Sequence, residues 1–165
     1  MIIGTEQDYQ NLLNTLIELH IDYKLVDHPA ADSTEEADKY IEGYNGVRTK
    51  TLFLKDKYKN FYLVTTDDVK RFDFKKFQTL VNTKRISMAN EGDVKLLGSY
   101  IGIISPLSLM NNTIENIKIY FDKEMLDENI LTFHPNINTH TIFLKTEDVF
   151  SFIEKQGYTY SIVTL

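Results

Sequence analysis

Two strand-like runs follow each other in this chain with no helix between them. Residues 47–54 and 61–66 are rich in Thr, Leu, Val and aromatic residues, alternate in part, and are joined by the polar stretch Asp56-Lys57-Tyr58-Lys59-Asn60. They predict a hairpin. Regular strand–helix–strand alternation is therefore absent, and the α+β class is expected. Further short β-branched or aromatic runs predict strands over 23–26, 101–104, 117–121, 130–133, 141–144 and 160–163. Helices are expected over 5–20, from Ser33 to a stop at Gly43, over 74–81, over 90–97 before Gly98, and over 146–156 before Gly157. The expected architecture is a mixed, mostly antiparallel, curled and barrel-like sheet with flanking helices. Thr51-Leu52-Phe53-Leu54-Lys55 nearly recurs as Thr141-Ile142-Phe143-Leu144-Lys145, which suggests two strands in similar places in the sheet.

A length of 165 residues without a low-complexity or Pro/Gly/Ser-rich linker predicts one domain over 1–165. The apolar share of 42% and charged share of 25% are the ordinary globular balance. No apolar run nears the roughly 18 residues of a membrane span, and the first residues lack the basic start of a secretion signal, so a cytoplasmic location without membrane contact is expected. The absence of cysteine removes disulfides, thiolate nucleophiles and cysteine-bearing zinc sites. A net charge of −6 argues against a broad nucleic-acid-coating surface but leaves local contacts open at Lys55, Lys57 and Lys59, at Lys70, Arg71, Lys75 and Lys76, and at Lys84 and Arg85.

The four histidines, His20, His28, His134 and His140, form no compact ligand pattern, so no metal site and no cofactor is expected. His28 and His134 each precede a proline at the end of an expected strand, a position where sites are often built and where structural loop histidines also occur. No Gly-x-Ser-x-Gly elbow and no phosphate-cradling glycine loop is present. Lys50 shares its strand phase with Leu52 and Leu54. It either faces inward to meet an anion or polar ligand, or snorkels to water at the strand edge. Gly102-Ile103-Ile104-Ser105-Pro106 either punctuates a strand or turns backbone N–H groups toward a developing oxyanion.

Together these segments resemble the prolyl-tRNA editing family, the YbaK-like aminoacyl-tRNA deacylases, in their free-standing form. The matching pieces run in family order: His28-Pro29, Lys50-Thr51-Leu52-Phe53-Leu54-Lys55-Asp56, Arg85-Ile86-Ser87-Met88-Ala89, Gly102 to Pro106, and Phe133-His134-Pro135-Asn136-Ile137-Asn138-Thr139. The resemblance implies the editing-domain fold and hydrolysis, in trans, of the ester of a mischarged tRNA(Pro), with Ala-tRNA(Pro) the first candidate and no metal or cofactor. It implies Lys50, Gly102, Pro106 and His134 as catalytic, and His28, Thr51, Ile104, Ser105, Asn138 and Thr139 as substrate-binding. It names the aminoacylated end of tRNA(Pro) and prolyl-tRNA synthetase as partners. One departure is Thr51, where the family commonly has asparagine: a hydroxyl replaces the amide's paired donor and acceptor. A non-catalytic module of the same fold that recognises charged tRNA or a synthetase is the alternative.

Overall fold

The computed structural model describes all 165 residues. In chain order it contains α1 (Glu6–Glu18), β1 (Lys24–Asp27), α2 (Thr34–Tyr40), β2 (Val47–Lys55), β3 (Phe61–Asp67), α3 (Phe74–Leu80), β4 (Ser87–Met88), α4 (Glu91–Leu97), β5 (Ile117–Asp122), β6 (Ile130–Phe133), β7 (His140–Lys145), α5 (Thr146–Lys155) and β8 (Tyr160–Val163). Two 3-10 helices, Pro106–Asn111 and Lys123–Asp127, complete the chain. The helix starts carry the expected chemistry. Thr5 Oγ1 accepts from Asp8 N–H at 3.1 Å, Ser33 Oγ accepts from Glu36 N–H at 3.1 Å, and Asn90 and Asp93 form a reciprocal capping box. No helix is long and apolar enough to cross a membrane.

The strands form one mixed sheet in the order β1-β7-β6-β2-β3-β5-β8, with β4 paired beside β2. The expected hairpin is present, in a register that sets Lys50 opposite Thr66 and Thr51 opposite Thr65. Four strand pairs are antiparallel, and three, β2 with β6, β3 with β5 and β5 with β8, are parallel. The sheet curls without closing, since β1 and β8 remain edges. The two echoed segments lie in β2 and β7, on either side of β6.

Hydrophobic alternation explains why the hairpin lies at the centre. Phe53, Phe61 and Leu63 enter a core of 23 buried residues that α1, α4 and α5 also supply, whereas Leu54, Tyr62 and Val64 face the other way into a smaller cluster with Phe77 of α3 and Ile86. Six of the seven β3 residues are consequently buried, which is why this strand reads as a continuous apolar run.

One expected strand is not formed. Residues 101–104 lie in a turn and irregular chain in which Ile103 N–H donates to the Tyr100 carbonyl at 3.2 Å. The stretch is squeezed between the left-handed cap Gly98, at φ 77°, and the 3-10 helix that starts at Pro106, so no neighbouring strand pairs with it. Gly98 also makes a close approach: a Cβ there would stand 2.4 Å from the Asn111 carbonyl oxygen. Gly98→Ala is expected to cost about 3 kcal/mol, combining left-handed strain with overpacking. Urea unfolding measures it, and an unchanged midpoint would contradict this account.

Candidate functional site

A cavity of about 500 Å³ opens between the start of α2, β2, the turn 101–105 and the ends of β6 and β7. Six of the residues singled out in the sequence line it: Lys50, Thr51, Gly102, Ile104, Ser105 and His134. They come from three separate stretches of chain, brought together because β2 pairs with β6 in parallel and the 101–105 turn closes over them.

Lys50 is half-buried in the wall, and its Nζ donates to the Lys70 carbonyl just past the end of β3. Its ammonium is therefore held in place without an ion pair, so its charge is not spent on a carboxylate salt bridge. Lys70 itself is engaged, with Nζ 2.7 Å from both Asp122 and Glu124, and Lys55 pairs with Asp93 at 2.8 Å. The threonine hydroxyls of the wall are tied to protein as well. Thr51 Oγ1 lies 3.0 Å from Thr65 Oγ1, Thr132 Oγ1 donates to the Val47 carbonyl at 2.8 Å, and Thr141 Oγ1 lies 2.9 Å from His28 Nε2.

His134 Nδ1 lies 3.0 Å from the His140 carbonyl oxygen. A carbonyl only accepts, so Nδ1 carries the proton and the neutral ring leaves Nε2 with a free lone pair. Burial pushes the His134 pKa below the ordinary histidine value, with the nearby His28 ring acting in the same direction, so the neutral form prevails at neutral pH. His28 is outside the cavity wall and supports it. It stacks on Tyr40 at 5.0 Å and stands edge-on to His134 at 6.2 Å.

The turn 102–105 divides its donors. Ser105 is spent on the 3-10 helix: its N–H donates to Ser108 Oγ at 3.1 Å and its Oγ accepts from Leu107 N–H at 3.0 Å. The N–H groups of Gly102 and Ile104 donate to no protein acceptor, and both residues line the cavity. Gly102 has a φ of 102°, a backbone shape that glycine adopts without strain. No three His, Asp or Glu side chains converge as a metal-holding group.

A family model described as the aminoacyl-tRNA editing domain matches residues 28–152. The chain belongs to this family. The chain is 31% identical over 159 residues to the prolyl-tRNA editing protein ProX of Acetoanaerobium sticklandii, covering 94% of this chain and 96% of that protein. It is 30% identical to the prolyl-tRNA synthetase associated domain-containing protein 1 of Mus musculus, over 85% of this chain and 86% of the relative. Among solved structures, a candidate trans-editing enzyme for prolyl-tRNA synthetase superposes with a TM-score of 0.74 at 18% identity, over 96% of this chain and 94% of that one, and shares the fold. Editing in this family is deacylation, and the chain is accordingly an aminoacyl-tRNA deacylase, a carboxylic ester hydrolase.

Four of the expected site residues of the editing domain, His28, Pro106, Asn138 and Thr139, do not line the cavity. Pro106 is buried as the first residue of the 3-10 helix and fixes the exit of the turn. Asn138 is fully buried and ties three segments: Oδ1 accepts from Ile3 N–H at 2.8 Å, and Nδ2 donates to the Met1 and Ala31 carbonyls at 3.0 Å each. The Thr139 carbonyl accepts from His28 N–H at 3.0 Å. Two acidic residues absent from the sequence-based expectations do belong to the neighbourhood. Asp38 of α2 lines the cavity, and Asp68, just past β3, has a buried Oδ2 that meets no protein donor and is close enough for the Asp38 charge to raise its pKa. Asp68 follows Asp67 at the end of an apolar strand, which marks a polar exit; no local signal relates it to Asp38 in α2.

Proposed function

We propose that the cavity hydrolyses the ester of mischarged tRNA(Pro), with Ala-tRNA(Pro) the preferred substrate, acting in trans to the synthetase that made the error. The observation that carries this reading is the meeting, in one cavity of about 500 Å³, of a cation without a carboxylate partner at Lys50, two backbone donors at Gly102 and Ile104, and a neutral histidine lone pair at His134. These are the groups that acyl transfer from an ester needs. Lys50 holds the terminal nucleotide by charge and hydrogen bonding. The Gly102 and Ile104 N–H groups receive the carbonyl oxygen as it becomes an oxyanion. Water adds to the carbonyl carbon, the bond to the ribose oxygen breaks, and that oxygen leaves with a proton, giving free amino acid and tRNA. His134 Nε2, with Nδ1–H held by the His140 carbonyl, orients the water or the amino acid.

Thr51, Ile104 and Ser105 shape the wall around the amino-acid side chain, while His28, Pro106, Asn138 and Thr139 act from behind it as supports. A second site of this kind serves where a synthetase pocket cannot reject a smaller amino acid, and the cavity accepts alanine while the ring of proline is excluded by shape. The names of the relatives support tRNA(Pro) and prolyl-tRNA synthetase as partners, and this reading puts the protein in the cytoplasm, as one editing domain over the whole chain.

The test is release of amino acid from Ala-tRNA(Pro), Cys-tRNA(Pro) and Pro-tRNA(Pro) by the pure protein, with and without a chelator. Multiple turnovers on the alanyl ester, resistant to chelation and at least about tenfold faster than on the prolyl ester, are expected, in line with what a pocket contact can discriminate. Binding of charged tRNA without turnover would replace this reading by a recognition module.

A further inference from the structure

We infer that Asp38 receives the α-ammonium group of the aminoacyl ester, and that Asp68, beside it, is the residue that positions it. The inference rests on the deacylase reading and adds a determinant of substrate class to the same cavity. An α-ammonium entering a water-poor cavity needs an anion. The cavity wall contains two carboxylates, Asp32 and Asp38. Asp32 stands at the rim with its side chain 63% exposed, whereas Asp38 is half-buried and close enough to influence both Asp68 and His134.

Asp68 fixes the geometry. Its Oδ2 is buried and has no donor facing it. A buried carboxyl oxygen without a donor, near a second carboxyl, favours the protonated form, whose proton is free to bridge to Asp38. Burial first, and then the Asp38 and Asp67 charges, raise the Asp68 pKa to about 7, against the opposing pull of Lys50. The groups that face this pair are thus Asp67 of β3, Lys50 of β2 and, toward Asp38, His134. Around pH 7 Asp68 is therefore partly protonated, which lowers the negative charge that the incoming ammonium meets. The scaffold holds both acids from one place. Asp68 N–H donates to the Arg48 carbonyl at 2.8 Å, and the Arg48 guanidinium donates to the Ile41 and Tyr44 carbonyls at 2.7 and 2.9 Å, just past the end of α2, which carries Asp38.

The consequence is selection for a free α-amine. Esters with a hydroxyl or an acylated nitrogen at the α-position bring no charge to Asp38 and are poor substrates. The full chain, with Asp38→Asn and Asp68→Asn, is assayed on alanyl-tRNA(Pro) and on the same tRNA carrying a lactyl or N-acetylalanyl ester, and its carboxyl carbons are followed by ¹³C NMR from pH 4 to 9. The parent protein is expected to prefer the alanyl ester by at least about tenfold, and Asp38→Asn to lose about 10- to 100-fold in kcat/KM on that ester with less than about twofold change on the lactyl ester. One carboxyl should titrate near pH 7 in the parent and disappear in Asp68→Asn. A parent that hydrolyses lactyl and alanyl esters equally, or an Asp38→Asn loss equal on both, overturns the assignment and leaves the deacylase reading standing. Absence of any carboxyl titrating above pH 6 overturns the part given to Asp68. A parent inactive on every ester overturns both readings together.

Discussion

Lys50→Ala is expected to fold as the parent does and to lose about 100-fold or more in the rate of ester hydrolysis, the cost of removing one preorganised polar group from a reacting centre. The side chain is half-buried, and its Nζ bonds to a single backbone carbonyl, that of Lys70, so truncation removes few packing contacts. The hairpin register is held by the β2–β3 ladder from Thr49 to Lys55, in which Lys50 takes part through its backbone. Stability should fall by about 1 kcal/mol, the worth of one hydrogen bond. Lys50→Arg is expected to recover little activity, because a planar fork presents its charge and donors in a different geometry from a compact ammonium. Single-turnover deacylation alongside urea unfolding separates the two effects. A Lys50→Ala protein with full activity would remove Lys50 from the mechanism, and a protein that loses activity only in proportion to unfolding would make its role structural.

The largest loss of stability is expected at the far end of the same hairpin. Asp56 is 4% exposed and accepts five hydrogen bonds: Oδ1 from the N–H groups of Tyr58 at 2.8 Å and Asn60 at 3.0 Å, and Oδ2 from Asn60 Nδ2 at 3.2 Å, Tyr62 Oη at 2.8 Å and Thr83 Oγ1 at 2.6 Å. It closes the connector between β2 and β3 and joins it to the chain after α3. Burial alone would raise its pKa, but the bonds from Thr83, Asn60 and Tyr62 outweigh burial and lower it to about 2. The partner responds in kind: burial and the bond to Asp56 push the Tyr62 hydroxyl up to about 12.

Asp56→Ala should cost about 3–5 kcal/mol, because it leaves the Tyr62 and Thr83 hydroxyls and two backbone N–H groups without their acceptor. A carboxylate whose folded pKa is depressed contributes stability that is complete above its ordinary pKa and disappears as pH falls through the folded value. For Asp56 that window runs from about 4 down to about 2, and at roughly 1.4 kcal/mol for each unit the loss amounts to about 2–3 kcal/mol. Urea unfolding between pH 2 and 6 measures it. Asp56→Asn should flatten this part of the profile, and an acid dependence identical in parent and variant would refute the account.

Particular residues show how far the amino-acid order reaches. Ser33 with Glu36, Asn90 with Asp93 and Gly98 announce helix ends because capping bonds span three residues and the left-handed cap is a property of one. The apolar phase of residues 52–54 and 61–64 announces the hairpin and its two-faced burial, since successive side chains of a strand must point to opposite sides. Lys50, Thr51 and His134 could be singled out because a lysine in an apolar strand and a histidine before proline at a strand end are locally out of place. Residues 101–104 misled for the same reason that the others informed: the three isoleucines have strand propensity, but a strand needs a partner, and the geometry between Gly98 and Pro106 provides none.

Local order therefore determined the helices, the hairpin, the sides on which apolar residues face, and the residue types available for chemistry. Tertiary structure decided the three parallel pairings, the position of Asn138 as a buried tie instead of a cavity contact, and the meeting of Asp38 with Asp68 beside Lys50. The division has one physical cause. Caps, turns and side-chain alternation are governed by sterics and hydrogen bonds within a few residues, whereas a cavity depends on distances between segments that meet only after the whole sheet has packed.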